Sequence, residues 1–184
     1  MAEPLDRTEL PETIVLVGAP GAGKSTVGAK LARRLGVDFV DVDQLVEERA
    51  AMLISEIFIT HGEPTFRALE AELTREAVQR PGVVSLGGGA VMDAGTRQVL
   101  AGHHVVWLKV DARQAGRRVG ITGNGRPLMA GGNVHSTMVR LMNERAPLYE
   151  EVASLAVDTN HRSAGAVVRE ILAHHGVTVT DEEN

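Results

Sequence analysis

Gly18-Ala-Pro-Gly21-Ala-Gly23-Lys24-Ser25 decides how the rest of this chain is read, because it matches G-x-x-x-x-G-K-S/T at every fixed position. Thr13-Ile-Val-Leu-Val17 just before it has the make-up of a short buried strand. After it, Val27, Leu31 and Leu35 recur every four residues, as on one face of a helix. A loop of this kind between a strand and a helix is a phosphate cradle. Its glycines let backbone N–H groups close round phosphate oxygens, and the helix N-terminus adds the positive end of its dipole. Lys24 reaches the β- and γ-phosphates, and the Ser25 hydroxyl is placed to ligate Mg²⁺. The motif in this setting predicts a nucleoside triphosphate site rather than a Gly-rich turn with a surface lysine.

Outward from the loop, β-branched runs return at 37–42, 83–86, 105–110 and 155–157, with helical patterns between them. Five strands alternating with helices predict an α/β domain whose parallel sheet is covered on both faces. Pro64 suits the first turn of a helix carrying Phe66, Leu69, Leu73 and Ala77. Asn133 is a candidate cap for one carrying Met138, Leu141 and Met142, and Ser163 for the last, with Val167, Val168, Ile171 and Leu172. Residues 44–80 read as a long, mostly helical insertion, the natural place for an acceptor-binding subdomain. The stretch from about 119 to 132 is rich in glycine without apolar period and reads as a mobile lid. About 177–184 reads as an acidic tail.

A chain of 184 residues, 43% hydrophobic and 23% charged, suits one ordered domain with a single core, and a second full domain is not expected. A net charge of -5 argues against a nucleic-acid surface, while leaving room for a local cationic pocket. Without cysteine there is no disulfide or thiolate metal site. Neither a secretory leader nor an apolar membrane span is expected, so the reading is a cytoplasmic protein without a membrane or nucleic-acid partner.

Asp41 and Asp43 fall at the end of the second strand, where the carboxyl ends of a parallel sheet line the ligand crevice. One can serve a metal and the other a substrate; the plain alternative is a strand end feeding a helix, with Asp43 as its cap. Gly87-Gly88-Gly89 follows the third strand, where an acid often holds Mg²⁺, but here the strand ends in Ser85-Leu86. Ser25 and Asp41 are left to supply the metal's protein contacts. The triplet permits close approach of a ligand to backbone N–H groups. Arg67, with Glu70 one turn later to orient it, Arg126 in the lid, Arg145 and Arg162 form a set suited to a carboxylate and a transferring phosphoryl group. No spacing among the seven histidines resembles a metal site.

The phosphate loop, Asp41-x-Asp43, Phe66-Arg67 with Glu70, Leu86-Gly-Gly-Gly89, Arg126-Pro-Leu128 and Arg145-Ala-Pro-Leu-Tyr149 stand in the order and spacing of shikimate kinases. Over about residues 13–175 the chain resembles that family, in its actinobacterial form. The resemblance implies a three-layer αβα P-loop kinase fold with strand order 2-3-1-4-5 over a single domain, 1–184, with phosphate loop 18–26, acceptor region 41–80 and lid. It implies ATP-dependent phosphorylation of the 3-hydroxyl of shikimate, a step of chorismate and aromatic amino-acid biosynthesis, by a monomer. Asp43, Arg67, Gly88 and Arg145 would bind shikimate. Gly21, Ala22, Gly23, Lys24, Ser25 and Thr26 would hold the phosphates, with Ser25 on Mg²⁺ and Asp41 reaching it through water. Arg126 would close from the lid, joined by Arg117 or Arg118, and Arg162 would lie against the adenine. Asp43, Lys24 and Arg126 would carry the catalysis, Asp43 either removing the acceptor proton or only orienting the hydroxyl. A gluconate kinase of the same fold, and a nucleotide-binding regulatory protein without catalysis, are the competing readings.

Overall fold

The computed structural model describes residues 11–122 and 134–177; Arg126, Asn133, most of the expected lid and the expected tail beyond Val177 lie outside them. Five strands, β1 (Thr13–Val17), β2 (Phe39–Asp41), β3 (Gly82–Ser85), β4 (His104–Lys109) and β5 (Leu155–Asp158), form one sheet. Every neighbouring pair is parallel and the order is β2-β3-β1-β4-β5, as expected. All carboxyl ends therefore meet along one edge, with β1 and its loop in the middle.

Successive side chains of β1 point to opposite faces, and each face has its own core. Ile14 and Leu16 pack with Leu31 of α1 (Lys24–Leu35) and with Val168 and Ile171 of α8 (Ala164–His174). Val15 and Val17 pack with Val42 and Val46 of α2 (Val42–Ala50), Phe66 and Leu73 of α4 (Gly62–Ala77), and Tyr149 of α7 (Val134–Val152). Each fully buried Leu, Ile or Phe contributes about 1.5–3 kcal/mol to holding helices on the sheet. The two-sided burial explains why the strands read as unbroken apolar runs.

Local chemistry sets the ends of these elements. Gly23 precedes α1 with φ 93°, a left-handed conformation that a side chain would strain. Ser163 caps α8, its hydroxyl accepting from the Ala166 amide at 3.2 Å, as its position predicts. The second strand is shorter than its apolar run. At its start the Val37 amide closes α1 by donating to Ala32 O (3.0 Å), and at its end Asp41 is already the cap of α2. Asp43 thus lies in the first helical turn, not on the strand.

The mostly helical insertion expected over 44–80 holds three helices. A turn at Ala51, φ 51°, and another at Gly62, φ 81°, set α3 (Ile54–Thr60) between α2 and α4. Two elements went unread in the sequence: α5 (Ala94–Leu100), capped by Asp93, and α6 (Ala112–Thr122), which carries helix into the first residues of the expected lid.

Candidate active site

The phosphate loop connects β1 to α1 at the centre of the sheet edge. Lys24 Nζ donates to Gly18 O (2.9 Å) and Ala19 O (3.1 Å), so the ammonium lies folded over the loop it serves. Ser25 Oγ donates to Asp41 Oδ2 at 2.5 Å, and Asp41 Oδ1 accepts from the Asp43 amide at 3.0 Å. Asp41 pairs in register with Ser85, so β2 supplies, one strand aside, the acid missing from the end of β3. With its proton turned to Asp41, Ser25 keeps a lone pair for a cation, and the carboxylate stands directly behind it. These hard oxygens fit Mg²⁺. Among the described residues no group of three His, Asp or Glu is placed to hold a metal ion.

Across the crevice, the glycine triplet after β3 meets α4 and the phosphate loop. A Cβ at Gly89 would sit 2.6 Å from both terminal nitrogens of Arg67. One at Gly87 would sit 2.8 Å from Asp43 Oδ1, and one at Gly88 would sit 2.8 Å from Pro20 Cδ of the loop. The triplet is therefore a floor on which Arg67, Asp43 and the phosphate loop converge. A Cβ at any of the three would press on one of these neighbours.

Arg67 is held from two sides, by Glu70 Oε2 at 2.6 Å and Glu63 Oε1 at 3.2 Å, so the orienting role expected of Glu70 matches the geometry. Glu70 is buried, and that burial pushes its carboxyl above the usual range against the pull of Arg67 and Arg145. Arg145, from α7, is only 3% exposed, and its Nε has no hydrogen-bond partner. Two guanidinium groups thus act on one buried carboxylate, Glu70. Guanidinium groups gathered in this way suit an anionic ligand.

On the other side of the loop, Arg118 of α6 donates to Gly21 O (3.1 Å), Thr159 O (2.8 Å) and Thr159 Oγ1 (3.2 Å). It ties the phosphate loop to the end of β5. Near it a cleft of about 430 Å³ is lined by Arg113, Gln114, Arg117, His135 and His161, with Asp111 at its edge. Arg162 leans back on its own turn, bonded to Asp158 O (2.9 Å) and paired with Glu170 (2.6 Å).

The structure therefore brings together Gly21, Ala22, Gly23, Lys24, Ser25, Thr26, Asp41, Asp43, Arg67, Gly88 and Arg145, from five separate stretches of chain. Three contributors were missed in the sequence. The Tyr149 hydroxyl donates to Gly88 O at 2.5 Å, and Arg97 Nη1 donates to Val91 O at 2.8 Å, bracing the turn after the triplet. Thr159 is the third, as the partner of Arg118. The one available signal was Tyr149 itself, the only tyrosine in the chain and one helical turn from Arg145.

Residues 20–175 match the family model described as shikimate kinase. A shikimate kinase of Mycobacterium avium is 50% identical over 161 residues, covering 86% of this chain and 90% of that protein. One of Rhodococcus jostii is 46% identical over 160 residues, covering 86% and 95%. Among solved structures, a shikimate kinase from Acinetobacter baumannii in complex with shikimate superposes with a TM-score of 0.86 at 36% identity, covering 90% of this chain and 93% of that one.

Proposed function

The chain belongs to the shikimate kinase family, and on that premise we propose that it transfers the γ-phosphoryl group of ATP to the 3-hydroxyl of shikimate. The products are shikimate 3-phosphate and ADP, in the route to chorismate and the aromatic amino acids. The observation that carries the reading is Arg145: a guanidinium 3% exposed, beside Arg67 and Glu70, calls for a small carboxylate to complete its pairing.

In this reading the acceptor carboxylate lies between Arg67 and Arg145 near Gly88, and its hydroxyls reach Asp43. Asp43 orients the attacking hydroxyl or takes its proton. The amides from Gly21 to Thr26 hold the phosphates. Lys24 exchanges its carbonyl partners Gly18 and Ala19 for phosphate oxygens, so the loop is already shaped for the ligand. Ser25 would hold Mg²⁺ with Asp41 behind it, and the bound ion would supply charge neutralisation at the transferring phosphoryl group. Arg126 closes from a lid at 119–132, and Arg162 flanks the adenine. Phosphoryl transfer asks chiefly for alignment and charge stabilisation, and this set supplies both.

The working unit is one domain spanning 1–184, with its acceptor region at 41–80. We place it in the cytoplasm as a monomer without nucleic-acid or membrane partners. Its net charge of -5 supports that reading, and among the described residues no helix is long and apolar enough to cross a membrane.

The test is ADP release with Mg²⁺ and ATP over shikimate, quinate, gluconate and nucleoside monophosphates. Shikimate-dependent turnover well above the others is expected. Turnover with gluconate alone would make this a gluconate kinase, and nucleotide binding without acceptor-dependent turnover would make it a regulatory protein.

A further inference from the structure

Three observations meet at the peptide joining Gly88 to Gly89. Its carbonyl accepts from Tyr149 Oη at 2.5 Å, the hydroxyl coming from a side chain 2% exposed. Its N–H, on Gly89, is taken by no hydrogen bond among the described residues. The face of Gly89 that lacks a Cβ lies against the Arg67 guanidinium.

A trans peptide holds its C=O and N–H in one plane, pointing in opposite directions. Fixing the carbonyl on Tyr149 therefore fixes where the Gly89 N–H points. The carbonyls of Gly87 and Gly89 are each held by a backbone amide, from Ala90 and Met92 at 3.0 Å, and the Tyr149 hydroxyl is what holds the Gly88 carbonyl between them. Tyr149 stands on α7 one turn after Arg145, and Pro147 between them removes a backbone donor from that helix. The hydroxyl bond thus ties the helix that carries Arg145 to the loop that carries the amide.

We infer that Tyr149 is a positioning residue for the acceptor: it aims the Gly89 amide, in register with Arg67 and Arg145, at the substrate carboxylate. It touches neither substrate nor reacting atoms. The inference rests on the proposed function, since it takes shikimate as the carboxylate in question.

The experiment is Tyr149→Phe, which keeps the ring packed on Trp107 and deletes only the hydroxyl. KM for shikimate should rise about tenfold, as expected for a buried carbonyl left unpaired and an amide no longer aimed, with kcat and KM for ATP within about twofold of the parent. Shikimate methyl ester, whose carboxyl is neutral, is the discriminating acceptor: its KM should be nearly the same for parent and variant.

Ser154→Ala serves as the stability control. It removes hydroxyl bonds to Val105 and His104 far from the triplet, and should lower Tm while leaving KM for shikimate unchanged. An unaltered shikimate KM in Tyr149→Phe would overturn the inference. So would an equal rise for acid and ester, a parallel rise for ATP, or a shikimate KM raised as much by Ser154→Ala. If the parent enzyme itself does not turn over shikimate, the proposed function fails first, and that is read without the variant.

Discussion

Arg145 carries a charge that the fold does not neutralise by itself. Its neighbour Glu70 already pairs with Arg67 at 2.6 Å, so the one buried carboxylate is shared between two guanidinium groups. In the proposed function the substrate carboxylate completes the set in ground and transition states alike, and such uniform binding appears in KM. Arg145→Ala should therefore raise KM for shikimate about 100-fold with kcat within a few-fold, the scale of truncating one side of a buried charge pair. Steady-state kinetics with saturating ATP checks it. Arg126→Ala should do the reverse, lowering kcat about 10³-fold with a small change in shikimate KM, because a lid arginine acts on charge that builds in transfer. A kcat that stays at the parent value would remove Arg126 from the chemistry.

Among the elements, strands were legible because both faces of a parallel sheet are buried, which leaves continuous β-branched runs. Their ends were less so. The run 37–42 continues in hydrophobicity past both ends of β2, and only the hydrogen bonds of Val37 and Asp41 show where pairing stops. Loop residues of the site were legible from motif and order, whereas Tyr149 meeting Gly88 and Arg118 meeting Thr159 join distant segments, and no local pattern records such meetings. Ser163 was a local signal, and its cap should contribute about 1 kcal/mol. Ser163→Ala should lower Tm by about 2–4 °C in a thermal melt.

A second joint at element scale was invisible in sequence. His104 at the start of β4 and His175 after α8 approach with Nε2 atoms 2.9 Å apart, while Ser154 holds His104 Nδ1 at 3.0 Å. Burial, then His175 and His174, lower the His104 pKa from 6.5 to about 4. A depressed folded value means that the unfolded chain takes up the proton first. The stabilisation is complete above about pH 6.5 and is lost as pH falls towards 4. Tm should fall between pH 7 and pH 5, less steeply in His104→Asn than in the parent; equal slopes would show that the pair plays no part.

Taken as a whole, the molecule carries a net charge of -5, which should by itself repel an anionic substrate more at low ionic strength than at high. Locally, cations are concentrated among the carboxylates of Asp41, Asp43, Glu63 and Glu70. Lys24, Arg67, Arg118 and Arg145 all converge on the carboxyl edge of one sheet, and β5 and α7 bring two of their anchoring points from the far end of the chain. Within a Debye length of about 10 Å at 0.1 M salt, this cluster rather than the net charge governs the field that shikimate meets. The two descriptions predict opposite salt effects. If the cleft dominates, raising monovalent salt from about 20 to about 200 mM at saturating MgATP should lower kcat/KM for shikimate several-fold, chiefly through KM, and the slope should flatten in Arg145→Ala. A kcat/KM that rises with salt would mean that the acidic exterior outweighs the cleft. The arginines would then act only at contact, after the substrate has already arrived.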